Sequence, residues 1–261
     1  MESPSEQETP SPEQVTHRPP VLDLANGLAI FLLVFLVFVV AQVVAMVAHV
    51  RSIHPDLADL PWRDVMSSDQ WTGLATNGDT MAIVSLISGA AGLVLLLLLS
   101  WLWKRDRLVS LFGLKPPAFK PFLAWSGLFV CIFVVLEVIV QFLPESEAMD
   151  KILGTITNYP LFFLGSCLMP ALFEEFLFRG LLLGSLRHAL DKNMAIAVTA
   201  GLFTLMHMYY EWYLLLFSLL PLAVFLGYAR TNSGSIWTGV FLHFMNNAAS
   251  VALPLLFRSP S

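Results

Sequence analysis

Charge is what this chain most lacks. Only 13% of its 261 residues are Asp, Glu, Lys or Arg, while 57% are hydrophobic. A soluble domain normally carries about 25% charged residues, so a water-covered globular surface is excluded. Cysteine is almost as scarce. Cys131 and Cys167 both fall inside apolar runs and form no C-x-x-C pair, which excludes a disulfide framework and a thiolate metal site. The formal net charge of -5 is small and gathers partly near the N-terminus, so no nucleic-acid partner is indicated. There is no H-E-x-x-H helix, which removes the commonest zinc-protease arrangement. No internal repeat is visible either, which weakens a transporter reading. The short basic start and small-residue cleavage site of a signal peptide are missing too, so the first apolar run is expected to be retained.

What the chain has is apolar length. Several runs exceed the roughly 18 residues needed to cross a bilayer. Hydropathy predicts an all-α, polytopic transmembrane helix bundle of seven spans, at about residues 25–48, 80–103, 121–143, 158–186, 193–209, 212–229 and 235–257. An eighth, shorter element arises if Pro160 or Pro170 breaks the fourth span. Residues 1–20, rich in Pro, Ser and Glu, cannot bury enough surface to fold and are expected to be a disordered tail. Residues 21–119 hold the N-terminal spans and an interfacial segment, and residues 120–257 form the remaining core. Lys104, Arg105, Arg107, Lys115 and Lys120 crowd the loop after the second span. The positive-inside rule puts that loop in the cytoplasm, with Arg187, Lys192 and Arg230 on the same side. The segment LVSLFGLKPPAFKPFL within this loop mixes Phe and Leu with Lys and Pro, and is expected to lie along the interface.

Against this background the run ALFEEFLFRG, from Ala171 to Gly180, is anomalous, because it places Glu174, Glu175 and Arg179 in the fourth span. A charge near the bilayer centre costs at least about 2.5–3.5 kcal/mol and marks a functional site by default. On a helix Glu175 and Arg179, at i and i+4, share a face and can neutralise one another. Glu174 points about 100° away, has no sequence-local partner, and is the better candidate for chemistry. The fifth span holds Phe203 and His207, and the seventh holds His243 and Asn247, each pair at helical i, i+4 spacing. Counting residues from the span ends puts Glu174, His207 and His243 at similar depth, so they could meet in one layer. Glutamate and histidine there could activate a water, while histidine and asparagine could donate hydrogen bonds to an oxyanion, which describes peptide-bond hydrolysis. Glu174, His207 and His243 could instead hold Zn²⁺ with an open position for water. The sequence leaves these two readings side by side.

At these residues the chain resembles the CPBP family, the type II CAAX prenyl endopeptidases and bacteriocin-processing or immunity proteins also called Abi. Its motifs E-E-x-x-x-R, F-x-x-x-H and H-x-x-x-N read here as Glu174-Glu175-Phe-Leu-Phe-Arg179, Phe203-Thr-Leu-Met-His207 and His243-Phe-Met-Asn246-Asn247. The resemblance covers about residues 120 to 257. It implies an intramembrane endopeptidase, metallo- or glutamate-type, with Glu174 and His207 activating water and His243 and Asn247 stabilising the oxyanion. Glu175, Arg179 and Phe203 would support them. The implied partners are the lipid bilayer and a membrane protein or peptide substrate, and the implied location is a cell membrane, the bacterial inner membrane by the brevity of the loops. The competing reading is a non-catalytic immunity or scaffold protein that keeps the motif residues as a polar core.

Overall fold

The computed structural model describes residues 20–144 and 147–257. The tail expected over residues 1–20 lies outside the described residues, apart from Pro20, which opens the first helix. The helices that carry the fold are α1 (Pro20–Ile53), α2 (Gly78–Lys104), α3 (Phe119–Val140), α4 (Tyr159–Leu186), α5 (Lys192–Leu205), α6 (Trp212–Ser233) and α7 (Ile236–Phe257). Their starts follow local chemistry. The side chain of Asn77 accepts from Thr80 N at 2.9 Å to open α2, and Asp191 accepts from Asn193 N and Met194 N at 2.9 and 3.1 Å to open α5. Gly234, at φ 70°, closes α6 in the left-handed conformation that a side chain disfavours.

Hydrogen bonds between the ends show that successive helices run in opposite directions. At one end Lys104 Nζ meets Asp23 Oδ2 at 2.7 Å, Lys192 Nζ donates to Asn232 Oδ1 at 3.2 Å, and Ile236 N donates to Gly113 O at 3.0 Å. At the opposite end Gly78 N donates to Thr155 Oγ1 at 2.8 Å, Asn158 N to Asp79 Oδ1 at 3.1 Å, and the Tyr213 hydroxyl to Pro144 O at 3.4 Å. The first end gathers the loop basics Arg105, Arg107, Lys115 and Arg187.

Among the described residues six helices are long and apolar enough to cross a membrane, and the chain is a multi-pass membrane protein. The seven-span expectation needs one adjustment, because the fifth element is helical only over Lys192–Leu205. Its 14 residues rise only about 21 Å, against a hydrocarbon thickness near 30 Å. Residues 206–211 complete the passage as turns. Among the described residues no eighth span forms: Pro160 sits in the first turn of α4, where the missing N–H has no partner to lose, and the helix continues through Pro170, which follows the wide π turns of Phe163–Leu168.

Lipid gives helices no hydrophobic reason to associate, so close packing and polar contacts must do it. Polarity is accordingly turned inward: Ser88, Thr199, Thr238, Glu175, Arg179 and His243 are buried, while Leu32, Val94, Leu102 and Phe119 face outward. Gly165 lets α4 lie directly on the α2 backbone, where an added Cβ would collide with the Ala82 carbonyl. Phe31 of α1 meets Phe178 of α4 edge-on at 5.4 Å between ring centroids, and Phe38 stacks on Phe173 at 4.6 Å. The main apolar cluster thus draws on both the N-terminal helices and the later ones. The segment expected to lie on the interface does more than that. Its Phe112 is fully buried and fills the space left by Gly180 beside Phe176, and the following loop is bonded to Ser235 and Trp237 at the start of α7.

Candidate active site

Helix α4 is irregular where the charges sit. Residues Phe163–Leu168 and Glu175–Leu182 are π-helical, flanking an α-helical stretch at Met169–Glu174. Wider π turns of this kind recur at functional sites. Glu175 and Arg179 lie in the second wide stretch, and their i, i+4 pairing holds: Nη1 of Arg179 is 2.9 Å from Oε1 of Glu175, with both side chains fully buried. Nη2 of Arg179 donates to the Ala223 carbonyl of α6 at 3.1 Å, and its Cζ stands 4.4 Å from the ring centre of Phe203. Three helices, α4, α5 and α6, therefore fix one guanidinium.

The neighbouring glutamate faces a different set. Oε2 of Glu174 is 3.9 Å from Nε2 of His207 and 3.8 Å from Nε2 of His243. These distances exceed a direct hydrogen bond, so the carboxylate and the two imidazoles face one another without bonding directly. The side chain of Glu174 is 16% exposed, whereas that of Glu175 is 0%, so only the first is open to an incoming molecule.

Each imidazole is aimed by its other nitrogen. The Phe203 carbonyl would, in a longer helix, accept from the His207 amide. Helix α5 stops instead, the His207 amide turns to Thr204 O at 3.0 Å, and Nδ1 of His207 takes the Phe203 carbonyl at 2.8 Å. The ring is thus a side-chain cap that closes its own helix and presents Nε2 to Glu174. His243 does the same from α7, its Nδ1 lying 3.1 Å from Oε1 of Glu175. A carbonyl and an ionised carboxylate can only accept, so both Nδ1 atoms carry hydrogen. Phe203 lies between them, 4.7 Å from the His207 ring and 5.8 Å from the His243 ring.

Asn247 sits apart from this layer. Its Nδ2 donates to the Cys167 carbonyl at 3.3 Å. Since His243 meets Glu175 and Asn247 meets Cys167, α7 runs antiparallel to α4 and Asn247 lies one turn further along it. One amide hydrogen is left over by that contact. The structure therefore brings Glu174, Glu175, Arg179, Phe203, His207 and His243 together, and anchors Asn247 beside them through the backbone of α4. Among the described residues no group of three or more His, Cys, Asp or Glu could hold a metal ion. Glu174, His207 and His243 do not form an assembled zinc ligand sphere.

Some residues of the site carried little signal in the sequence. Gly239 is one: an added Cβ there would stand 2.5 Å from Oε2 of Glu175, so only glycine admits the buried carboxylate against α7. Its place one helical turn before His243 was the available clue. The Ala223 and Cys167 carbonyls are backbone groups and had none. Tyr210 lies parallel to the His207 ring at 6.2 Å.

Residues 156–249 match the family model described as type II CAAX prenyl endopeptidase Rce1-like. Over 111 residues the chain is 30% identical to a Bacillus subtilis (strain 168) protein named "Putative membrane peptidase YdiL", a match that covers 42% of this chain and 44% of that relative. The match thus spans less than half the length of the relative. No solved structure gives a significant match. The matched stretch contains every residue of the polar layer, so the similarity to the Rce1-like type II CAAX prenyl endopeptidases falls on the part of the chain that carries the site.

Proposed function

We propose that the chain is an intramembrane endopeptidase that hydrolyses a peptide bond of a membrane-associated protein or peptide at Glu174. The observation that carries this reading is the convergence of Oε2 of Glu174 with two Nε2 atoms, in the one part of the cluster that is not sealed. Charge balance assigns the roles. Glu174, Glu175 and Arg179 sum to one negative charge, and an apolar bundle favours a neutral cluster. A proton on His243, which faces both carboxylates, supplies that neutrality and makes its Nε2–H a donor. His207, 3.9 Å from Glu174 and donating through Nδ1 to the Phe203 carbonyl, keeps Nε2 as an acceptor.

A water between them donates one hydrogen to Glu174 and the other to His207 Nε2. As its oxygen attacks the scissile carbonyl carbon, Glu174 takes the first proton. The carbonyl oxygen becomes an oxyanion and accepts from His243 Nε2–H and from the free amide hydrogen of Asn247. Glu174 then passes its proton to the amide nitrogen, the C–N bond breaks, and a carboxylic acid and an amine leave. Glu175 and Arg179 hold His243 in register and do not exchange protons. The location is a bacterial inner membrane, on the strength of the short loops and the Bacillus relative.

The test compares protein termini in membranes of cells that carry the native chain or Glu174→Gln at equal abundance, repeated with the purified chain under chelator. The native chain generates new termini, and the variant reduces their rate of formation by about 10²–10⁴, the usual contribution of a general base. Identical termini in both would support the immunity or scaffold reading. Loss of native activity in chelator, restored by Zn²⁺, would replace the protein-held water with a metal-held one.

A further inference from the structure

The turn that follows α5 carries two aromatic rings that the reaction above leaves unused. Tyr210 N donates to the His207 carbonyl at 2.9 Å, which folds residues 207–210 back and sets the Tyr210 ring parallel to the His207 ring at 6.2 Å. Tyr209 packs on both, 4.4 Å from the Tyr210 ring and 5.9 Å from the His207 ring. Such separations are typical of aromatic pairs. An anchor in the headgroup layer would account for one exposed tyrosine, but not for two rings packed on a site imidazole. The two differ in exposure: Tyr210 is half-buried, whereas Tyr209 is 70% exposed. The start of α6 leaves that side open, since none of residues 212–219 is buried, while Leu222, Ala223 and Phe225 further along the helix are. Tyr209 thus presents a free ring face beside the imidazole that stands across from Glu174.

Reach decides what such a face meets. A peptide whose scissile carbonyl lies between Glu174 and His207 has its next Cα about 3.8 Å further along the chain. The side chain flanking the bond therefore comes within reach of a ring that stands 5.9 Å from His207. The surface it meets is a π face backed by a second ring. An aromatic side chain gains most there, because it stacks on the ring or meets it edge-on in addition to burying area. An alanine covers too little of it, and an acidic side chain would be set beside Glu174 and repelled.

We propose that Tyr209, backed by Tyr210, is a specificity-determining residue that receives an aromatic side chain next to the scissile bond. The substrate class is then a membrane-associated peptide with Phe, Tyr or Trp flanking the bond that is cut. The inference rests on the peptidase reading. Tyr209 takes no part in the proton transfers, so it acts on which bond is cut rather than on how.

The experiment incubates the purified full chain in dodecylmaltoside with a tryptic peptide library prepared from bacterial membranes, and maps the cleaved bonds by mass spectrometry. Cuts that are absent with Glu174→Gln define the protein's own activity. In the native protein an aromatic residue should flank these bonds about tenfold more often than an alanine does, after correction for library composition, a ratio of the size that apolar pockets supply. Tyr209→Ala should bring that ratio close to one, and Tyr209→Phe should keep it. Leu102→Ala, an exposed residue near the other end of the bundle, should keep it as well. Elution as a single species checks the fold, and if Tyr209→Ala fails to fold, Tyr209→Leu provides the same comparison with an aliphatic side chain. A purely structural role would lower all cuts alike and leave the ratio unaltered. An unaltered ratio in Tyr209→Ala or Tyr209→Leu, with Glu174-dependent cuts present in the native protein, would overturn this inference and leave the peptidase reading standing. A native protein that makes no Glu174-dependent cut would overturn both.

Discussion

Arg179 is the largest fully buried side chain among the described residues. Its side chain is fully enclosed, 2.9 Å from Glu175 and 3.1 Å from the Ala223 carbonyl, above the Phe203 ring. Arg179→Met keeps the volume and removes the charge. Glu175 is then a buried anion with His243 as its remaining partner, and breaking one side of such a pair costs about 3–5 kcal/mol. The Ala223 carbonyl loses its donor, which adds about 1–3 kcal/mol. Glu175→Gln leaves a neutral acceptor for Arg179 and His243 and should cost less, about 2–3 kcal/mol, because the guanidinium keeps its carbonyl and its aromatic face. The double variant contains no unpaired charge in this pair, so its loss should fall short of the sum by about 2–3 kcal/mol. The assay is equilibrium unfolding of the purified chain in dodecylmaltoside with increasing dodecyl sulfate, followed by tryptophan fluorescence, for which the chain has seven reporters. Costs that simply add, or an Arg179→Met variant within about 0.5 kcal/mol of native, would show that the pair is not electrostatically coupled and would refute the reasoning.

Two further substitutions probe how the site is supported. Gly239→Ala puts a methyl group 2.5 Å from Oε2 of Glu175 and should destabilise the fold by about 1–3 kcal/mol through overpacking; a thermal shift scan in detergent checks it, and an unchanged midpoint would contradict the close approach. Asp191→Ala removes the acceptor for two amides at the start of α5 and should cost about 1 kcal/mol. Because α5 carries the Phe203 carbonyl that aims His207, the substitution should also lower proteolysis while leaving substrate binding intact, readable as kcat falling more than KM rises.

The sequence by itself determined the class of the molecule. Long apolar runs can close their backbone hydrogen bonds in lipid only as helices, so seven apolar runs imply a helical bundle whatever the packing. It also separated two acids one residue apart, since helical spacing gives Glu175 a partner in Arg179 and leaves Glu174 without one. Crude depth counting put Glu174, His207 and His243 in one layer, where the structure finds them. Tertiary structure decided what local pattern does not encode. Helix α5 ends early because a histidine ring replaces an amide as donor to its last carbonyls, an outcome invisible to hydropathy. Glu175 is shared with His243, and Arg179 with Ala223, through contacts between residues 68 and 44 positions apart. Gly239 and Arg230 look ordinary in sequence. Each acquires meaning only because another helix or loop presses against it, one to admit a carboxylate and the other to set a half-buried guanidinium against Gly113.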